Sequence, residues 1–288
     1  MKLALGTAQF GSSYGIVNQF GMVNFQNVKE IIELAREKKI DLIDTAMAYG
    51  DSEKAIGKNN VFDFKVITKL PPVPENIEDV KSWVENKINL SLSNLGLSNL
   101  HGLLIHNSES LTGNSGKELI NSLNIIKSKG LVKKIGISIY DPYELDFLMH
   151  LMKIDIVQAP FSIIDQRIET SGWLDKLHQA KVEVYSRSVF LQGLLLLPQN
   201  NLPPKFNRWN YFWKKWYEWL NDNKLTALEA TIKYALSIPK IKRVIVGVET
   251  KKQLKQIMDV SGKKLPRIPS ELSLEDTDLL NPFNWHKL

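Results

Sequence analysis

The sequence predicts an α/β fold, a (β/α)8 barrel of the TIM type, formed as a single domain over residues 1–288. Three observations carry this reading. Short Val/Ile/Leu-rich runs recur eight times without polar alternation, as parallel strands covered on both faces require. Segments with helical spacing separate them, and no long linker, low-complexity tract or close internal repeat interrupts the series. The chain of 288 residues also suits one barrel, a fold of roughly 250 residues or more, and a chain of this size buries about three quarters of its unfolded surface. An open doubly wound sheet shares the alternation. The barrel makes the stricter demand, because its chemistry gathers at the carboxyl ends of the strands.

The strand runs are residues 3–8, 40–44, 64–69, 102–106, 134–138, 155–158, 182–186 and 243–247. Helical spacing follows over 27–39, 77–95, 116–129, 143–152, 170–180, 225–236 and 251–259. Asn27, with Glu30 three residues on, has the pattern of a helix cap, and Ile31, Leu34 and Ala35 share one face behind it. Lys129-Gly130 has the pattern of a helix end, with Gly in the left-handed position and Lys complementing the dipole. The strands close on Asp44, Lys69, His106, Ser138, Gln158, Ser186 and Gly247, one polar or small residue after another, which is what a shared rim site produces.

Composition narrows the function. There are 37 Lys plus Arg against 31 Asp plus Glu, a formal charge of +6, with 43% hydrophobic and 24% charged residues, all ordinary for a soluble globular chain. The charge is mild: it can attract anionic ligands such as phosphorylated cofactors or sugars, and it lacks the concentrated basic stripe of a nucleic-acid binder. Cys is absent, which excludes disulfides, thiolate metal sites and a Cys nucleophile. No apolar run approaches the about 20 residues that span a bilayer, and the Gly-rich start turns polar too soon for a signal peptide, so a cytoplasmic protein without membrane partners is expected. Beyond His106, the histidines at 101, 150, 178 and 286 show no metal-ligand spacing, so no metal is expected. Neither a clean heptad nor an obvious patch indicates an oligomeric state.

The residues that can carry chemistry stand at three successive strand ends. Asp44-Thr45-Ala46-Met47-Ala48-Tyr49-Gly50-Asp51-Ser52-Glu53 follows the second run, Val66-Ile67-Thr68-Lys69 closes the third and Leu103-Leu104-Ile105-His106 the fourth. Together with Leu5-Gly6-Thr7, Ile135-Gly136-Ile137-Ser138, Val157-Gln158 and Val246-Gly247, in that order, they make the chain resemble the aldo-keto reductase family from about residue 3 to residue 260. The physical case runs in parallel. Reducing a carbonyl adds hydride to carbon and a proton to oxygen, and the hydride must come from a cofactor because no side chain supplies one. A phenol holds its proton tightly at neutral pH, and a neighbouring ammonium stabilises the phenolate. Tyr49 is therefore the candidate acid, Lys69 its tuner, Asp44 the partner of Lys69, and His106 the group that orients the substrate oxygen. The resemblance implies the same division of labour.

The resemblance also implies a nicotinamide cofactor, NADPH with NADH as the alternative, held by Gly6, Thr7, Asp44, Ser138, Gln158, Ser186, Arg187, Gly193, Gly247, Thr250, Lys251 and Lys252. Ser138 and Gln158 would meet the carboxamide, Gln192-Gly193-Leu194 would run beside the pyrophosphate, and Thr250, Lys251 and Lys252 would offer a hydroxyl and positive charge to the 2′-phosphate at a helix start. Several positions depart from the family pattern. Ile139 stands for the usual Asn, Ser186-Arg187-Ser188 for Ser-Pro-Leu, Gln253 for an Arg, and Gln256-Ile257 for Glu-Asn. Tyr185 precedes the position of the usual stacking Tyr, and Arg187 is read either as a contact for a cofactor or substrate phosphate or as one half of a surface salt bridge.

An aromatic-rich helical insertion around 205–222 contains Trp209, Trp213, Trp216 and Trp219, spaced for a broad helical face. It reads either as a helix packed on the barrel or as a wall over the substrate mouth, where aromatic faces would stack on a sugar. The expected function is NAD(P)H-dependent reduction of a small aldehyde or ketone, with a sugar or sugar phosphate as candidate substrate. The alternatives are a nucleotide-binding regulatory module of the same fold with little turnover, and an isomerase or lyase on the same scaffold.

Overall fold

Eight parallel strands close on one another in sequence order: β1 (Leu3–Gly6), β2 (Leu42–Asp44), β3 (Lys65–Leu70), β4 (Leu100–Ile105), β5 (Val132–Ser138), β6 (Ile156–Pro160), β7 (Glu183–Arg187) and β8 (Ile241–Gly247). β1 pairs with both β2 and β8, so no sheet edge is left open. This is the (β/α)8 barrel. The computed structural model describes residues 1–18, 21–260 and 265–288.

The helices between and after the strands are α1 (Phe25–Glu37), α2 (Ser52–Gly57), α3 (Val80–Leu95), α4 (Gly116–Ser128), α5 (Leu145–Leu151), α6 (Arg167–Thr170), α7 (Trp173–Gln179), α8 (Asn210–Asp222), α9 (Ala227–Ser237), α10 (Lys251–Met258) and α11 (Thr277–Leu280). α1 begins earlier than the Asn27 cap predicted. Its cap is Asn24, whose side chain accepts from the Asn27 N–H, while Val23 before the cap and Val28 inside the helix are both buried in the core. The helix expected over 170–180 is shorter: α6 ends at Thr170, and α7 starts at Trp173 after Gly172 in the left-handed region (φ 77°). Gly130 is left-handed as its sequence context predicts (φ 75°).

Within each strand, alternate residues face the barrel interior. Ala4, Leu42, Ile67, Leu104, Ile156, Tyr185 and Ile245 form one interior cluster. Gly136 leaves room for it, because a Cβ there would stand 2.4 Å from both Leu104 Cδ2 and the Ile156 carbonyl oxygen. Two residues further toward the carboxyl ends, the period of two puts Gly6, Asp44, Lys69, His106, Ser138, Gln158, Arg187 and Gly247 on the same inner face.

The aromatic segment is packing. Trp213 and Trp216 are among the largest fully buried side chains, and no residue of 205–222 lines the main cavity. Trp209 Nε1 donates to Asp276 (2.9 Å), Trp213 Nε1 to the Phe206 carbonyl (3.1 Å) and Trp219 Nε1 to the Arg267 carbonyl (3.2 Å). α8 thus ties the chain after β7 to the C-terminal segment. Among the described residues no helix is long and apolar enough to cross a membrane.

Candidate active site

Lys69 lies inside the barrel mouth with 1% of its side chain exposed, and Asp44 beside it with 6%. The ammonium donates to both Asp44 oxygens (2.9 Å each) and to the Thr45 carbonyl (2.9 Å), and stands 3.5 Å from Tyr49 Oη. Gln158 Nε2 donates to the same Asp44 oxygen (2.8 Å). Burial opposes the charge on Lys69, but the Asp44 carboxylate outweighs it and the pKa is raised, so the ammonium persists. The His106 ring meets Tyr49 edge-on with centroids 5.8 Å apart. Burial first, then the nearby Lys69 and Arg187 cations, lower the His106 pKa to about 4, so it is a neutral imidazole at neutral pH. The four residues proposed from strand ends are therefore one constellation.

The turn that carries Tyr49 is held by its own motif. Ser52 Oγ donates to the Thr7 carbonyl (2.9 Å) and contacts Thr45 Oγ1 (3.1 Å), while Thr7 Oγ1 donates to the Asp44 carbonyl (2.9 Å). Buried Glu53 accepts from Thr68 Oγ1 (2.7 Å) and Ser91 Oγ (2.6 Å), anchoring α2 to β3 and α3. Two glycines let the backbone after β1 lie against this turn. A Cβ on Gly11 would stand 1.7 Å from the Tyr49 carbonyl oxygen, and one on Gly50, itself left-handed (φ 52°), 2.3 Å from the Gly11 oxygen. The part played by Gly11 is not visible from its neighbours in the chain. Gly11 is one of three glycines, with Gly15 and Gly21, between β1 and α1.

From Asp44, Tyr49 and Gln158 a cavity of about 490 Å³ runs along β8 and the loop after β7 to the start of α10. Its walls are opened by absent side chains: a Cβ on Gly6 would stand 2.9 Å from Ile245 Cγ2, and one on Gly247 2.7 Å from the Gln9 amide. The loop after β7 is strained, with Ser188, Leu191, Gln192 and Gly193 all left-handed (φ 61°, 48°, 54° and 90°). Gln158 Oε1 is buried without a hydrogen-bond partner among the described residues, because Asp44 fixes the amide with its nitrogen toward the carboxylate. An orphaned acceptor at the inner end of an elongated cavity fits an amide-bearing ring such as nicotinamide.

Of the residues predicted to hold a cofactor, Gly6, Thr7, Asp44, Gln158, Arg187, Gly193 and Gly247 line this cavity. Ser138 ends β5 in register with Gln158 but is not part of the wall. Ser186 corrects the predicted end of β7. The strand runs on to Arg187, Tyr185 faces the interior, and Ser186 therefore faces outward, with Oγ donating to the Arg243 carbonyl (3.3 Å). Tyr185 packs in the cluster below the mouth and donates to Glu183 (2.9 Å), away from any stacking position. At the far end, Thr250 Oγ1 is engaged in capping α10 and Lys251 and Lys252 are exposed, none of them on the wall. Glu249, Gln253 and Gln256 form it instead. Arg187 makes no surface salt bridge among the described residues. It donates to the Ile139 carbonyl (2.9 Å) and Ser188 Oγ (3.2 Å), with its guanidinium 4.5 Å from the Tyr140 ring.

The sequence model described as "Aldo/keto reductase family" matches residues 2–268. The chain belongs to the aldo/keto reductase family. Among curated relatives it is similar to the oxidoreductase sirO of Leptosphaeria maculans, 25% identical over 72% of this chain and 65% of that protein, so the match spans somewhat less than two thirds of the fungal protein. It is also similar to the uncharacterized oxidoreductase YqkF of Bacillus subtilis, 24% identical over 81% and 82%. Solved structures share the fold. The holo form of the aldo-keto reductase AKR11C1 from Bacillus halodurans superposes with TM-score 0.72 at 20% identity, covering 92% of this chain and 88% of that one. The glycerol dehydrogenase AKR11B4 of Gluconobacter oxydans gives 0.70 at 20%, covering 92% and 88%. A Bombyx mori aldo-keto reductase solved with NADP gives 0.65 at 18%, covering 92% and 85%.

Proposed function

We propose that this protein is an oxidoreductase that reduces an aldehyde or ketone to the alcohol, or runs the reverse reaction, with a nicotinamide dinucleotide bound along the cavity. The observation that carries this reading is the Lys69 ammonium, paired with Asp44 and standing 3.5 Å from the Tyr49 hydroxyl at the cavity's inner end. When bound, the dinucleotide supplies the hydride. Gln158 Oε1 would accept from its carboxamide, with Ser138 beside it, and the glycines at 6, 193 and 247 leave space for its backbone.

Tyr49 gives its proton to the substrate oxygen, and Lys69 stabilises the phenolate that remains. Asp44 and the Thr45 carbonyl keep the ammonium aimed at that oxygen. His106, being neutral, donates one N–H to the carbonyl and aligns it without adding a charge to the site. Arg187 crosses from β7 toward the end of β5, close enough for its charge to act on His106, and has no carboxylate partner among the described residues. It suits a substrate bearing phosphate or another anionic group, such as a sugar phosphate.

The test is turnover of Tyr49→Phe against wild type with NADPH and NADH and a panel of sugar and aromatic aldehydes. A loss of at least about a hundredfold, with nucleotide binding retained, is expected of a general acid. Equal turnover of the two proteins overturns the role of Tyr49. Binding without turnover in wild type supports the regulatory-module reading instead.

A further inference from the structure

The end of the cavity remote from Tyr49 carries charge of the sign opposite to that expected from the sequence. Its wall there is Glu249 together with Gln253, Gln256 and Ile257, and the one cation on the cavity's described lining, Arg187, stands at the other end. Glu249 is the last residue before the cap of α10, and its backbone N–H donates to Gln253 Oε1 (2.6 Å). That bond occupies the Gln253 carbonyl and fixes the side chain of Gln253 against the helix start. The Glu249 carboxylate has no ion-pair partner among the described residues, and burial raises its pKa, against a hydrogen bond from the Gln253 side chain to the carboxylate. The lysines that follow are directed elsewhere: both are exposed, and Lys251 acts electrostatically on Glu37 at the end of α1, whose helix packs on α10.

A half-buried carboxylate without a cation beside it, in a cavity wall, accepts hydrogen bonds from hydroxyl groups and repels a phosphate dianion. We infer that Glu249 reads the adenosine ribose of the dinucleotide as a free 2′,3′-diol, so that the protein takes NADH in preference to NADPH. This rests on the dinucleotide reading above and deepens it by naming the residue that selects between the two cofactors. It departs from the NADPH expected on family resemblance, because the residues that carried that expectation are off the wall. The chemistry is that of an acidic residue on a ribose diol, in contrast to an Arg on a 2′-phosphate.

The experiment is equilibrium titration of the purified full chain with NADH, NADPH and NADH lacking the adenosine 2′-hydroxyl, followed by quenching of intrinsic tryptophan fluorescence and by calorimetry. NADH is expected to bind at least about tenfold more tightly than NADPH, a difference of about 1.4 kcal/mol. In Glu249→Gln the gap narrows, chiefly because NADPH binds better, and the penalty for losing the 2′-hydroxyl shrinks, which a merely structural role would not produce. Equal affinities in wild type, tighter binding of NADPH, or an unchanged ratio in Glu249→Gln overturns the assignment to Glu249 and leaves the oxidoreductase reading standing. Failure of both nucleotides to bind at millimolar concentration overturns that reading, and this inference with it.

Discussion

At the inner end of the cavity, Lys69 and Asp44 are buried, bonded to each other twice, and each bonded again to a third group. At the outer end Lys251 and Lys252 stand in solvent, and Glu249 is half-buried without an ion-pair partner among the described residues. Both regions occupy the carboxyl ends of strands in one barrel and both carry charge. They differ in commitment. A buried pair is held in one geometry because either partner alone would be stranded in a poor solvent for charge, whereas an exposed lysine is screened and can point elsewhere at little cost. Packing therefore constrains the side chains of the inner end far more than those of the outer one.

The comparison can be broken first at Lys69. Lys69→Met leaves the Asp44 carboxylate buried with Gln158 as its remaining side-chain partner, and a loss of about 3–5 kcal/mol in unfolding free energy is expected. A urea midpoint equal to that of wild type would show that the pair is not enforced by burial. The reduction rate of whatever protein remains folded should fall as well, because the phenolate of Tyr49 loses its counter-charge.

A smaller effect follows from acid. His106 and His101 are both held at about 4, His106 by burial and then Lys69, His101 by burial and then Lys134. The unfolded chain titrates its histidines near 6.5 and so binds more protons over the interval between, and stability should fall as pH drops from about 6.5 toward 4. Melting temperatures across that range check it, and His106→Asn should flatten part of the slope. A flat profile in wild type would mean that these imidazoles are not kept neutral by the fold.

The smallest effect sharpens the contrast at the outer end. Replacing Lys251 and Lys252 together by Ala should change the affinity for either nucleotide by less than about threefold, as for screened surface charges. A selective loss of NADPH affinity in fluorescence titration would restore the lysines to the site and weaken the case for Glu249.

The order of strands, the closure of the barrel and the four residues Asp44, Tyr49, Lys69 and His106 were legible in the chain because each depends on a local pattern. Apolar runs mark the strands, and Asp44, Lys69 and His106 follow such runs directly. The Glu53 and Ser52 of the same string were legible as a motif, while their work as anchors to Thr68, Ser91 and Thr7 joins segments far apart in the chain. Three matters were decided by tertiary structure. Arg187 rather than Ser186 faces inward, because side chains alternate and β7 extends one residue further than its apolar run, which moves the opposite residue to the mouth. Gly11 matters only because a turn nearly forty positions later lies against its backbone. Glu249 rather than its lysine neighbours lines the outer cavity, because the cap of α10 sets the direction in which each successive side chain leaves the helix. Local patterns specify which elements form and in what order; which side chain meets which neighbour is set by the relative placement of those elements, and that is a property of the closed barrel as a whole.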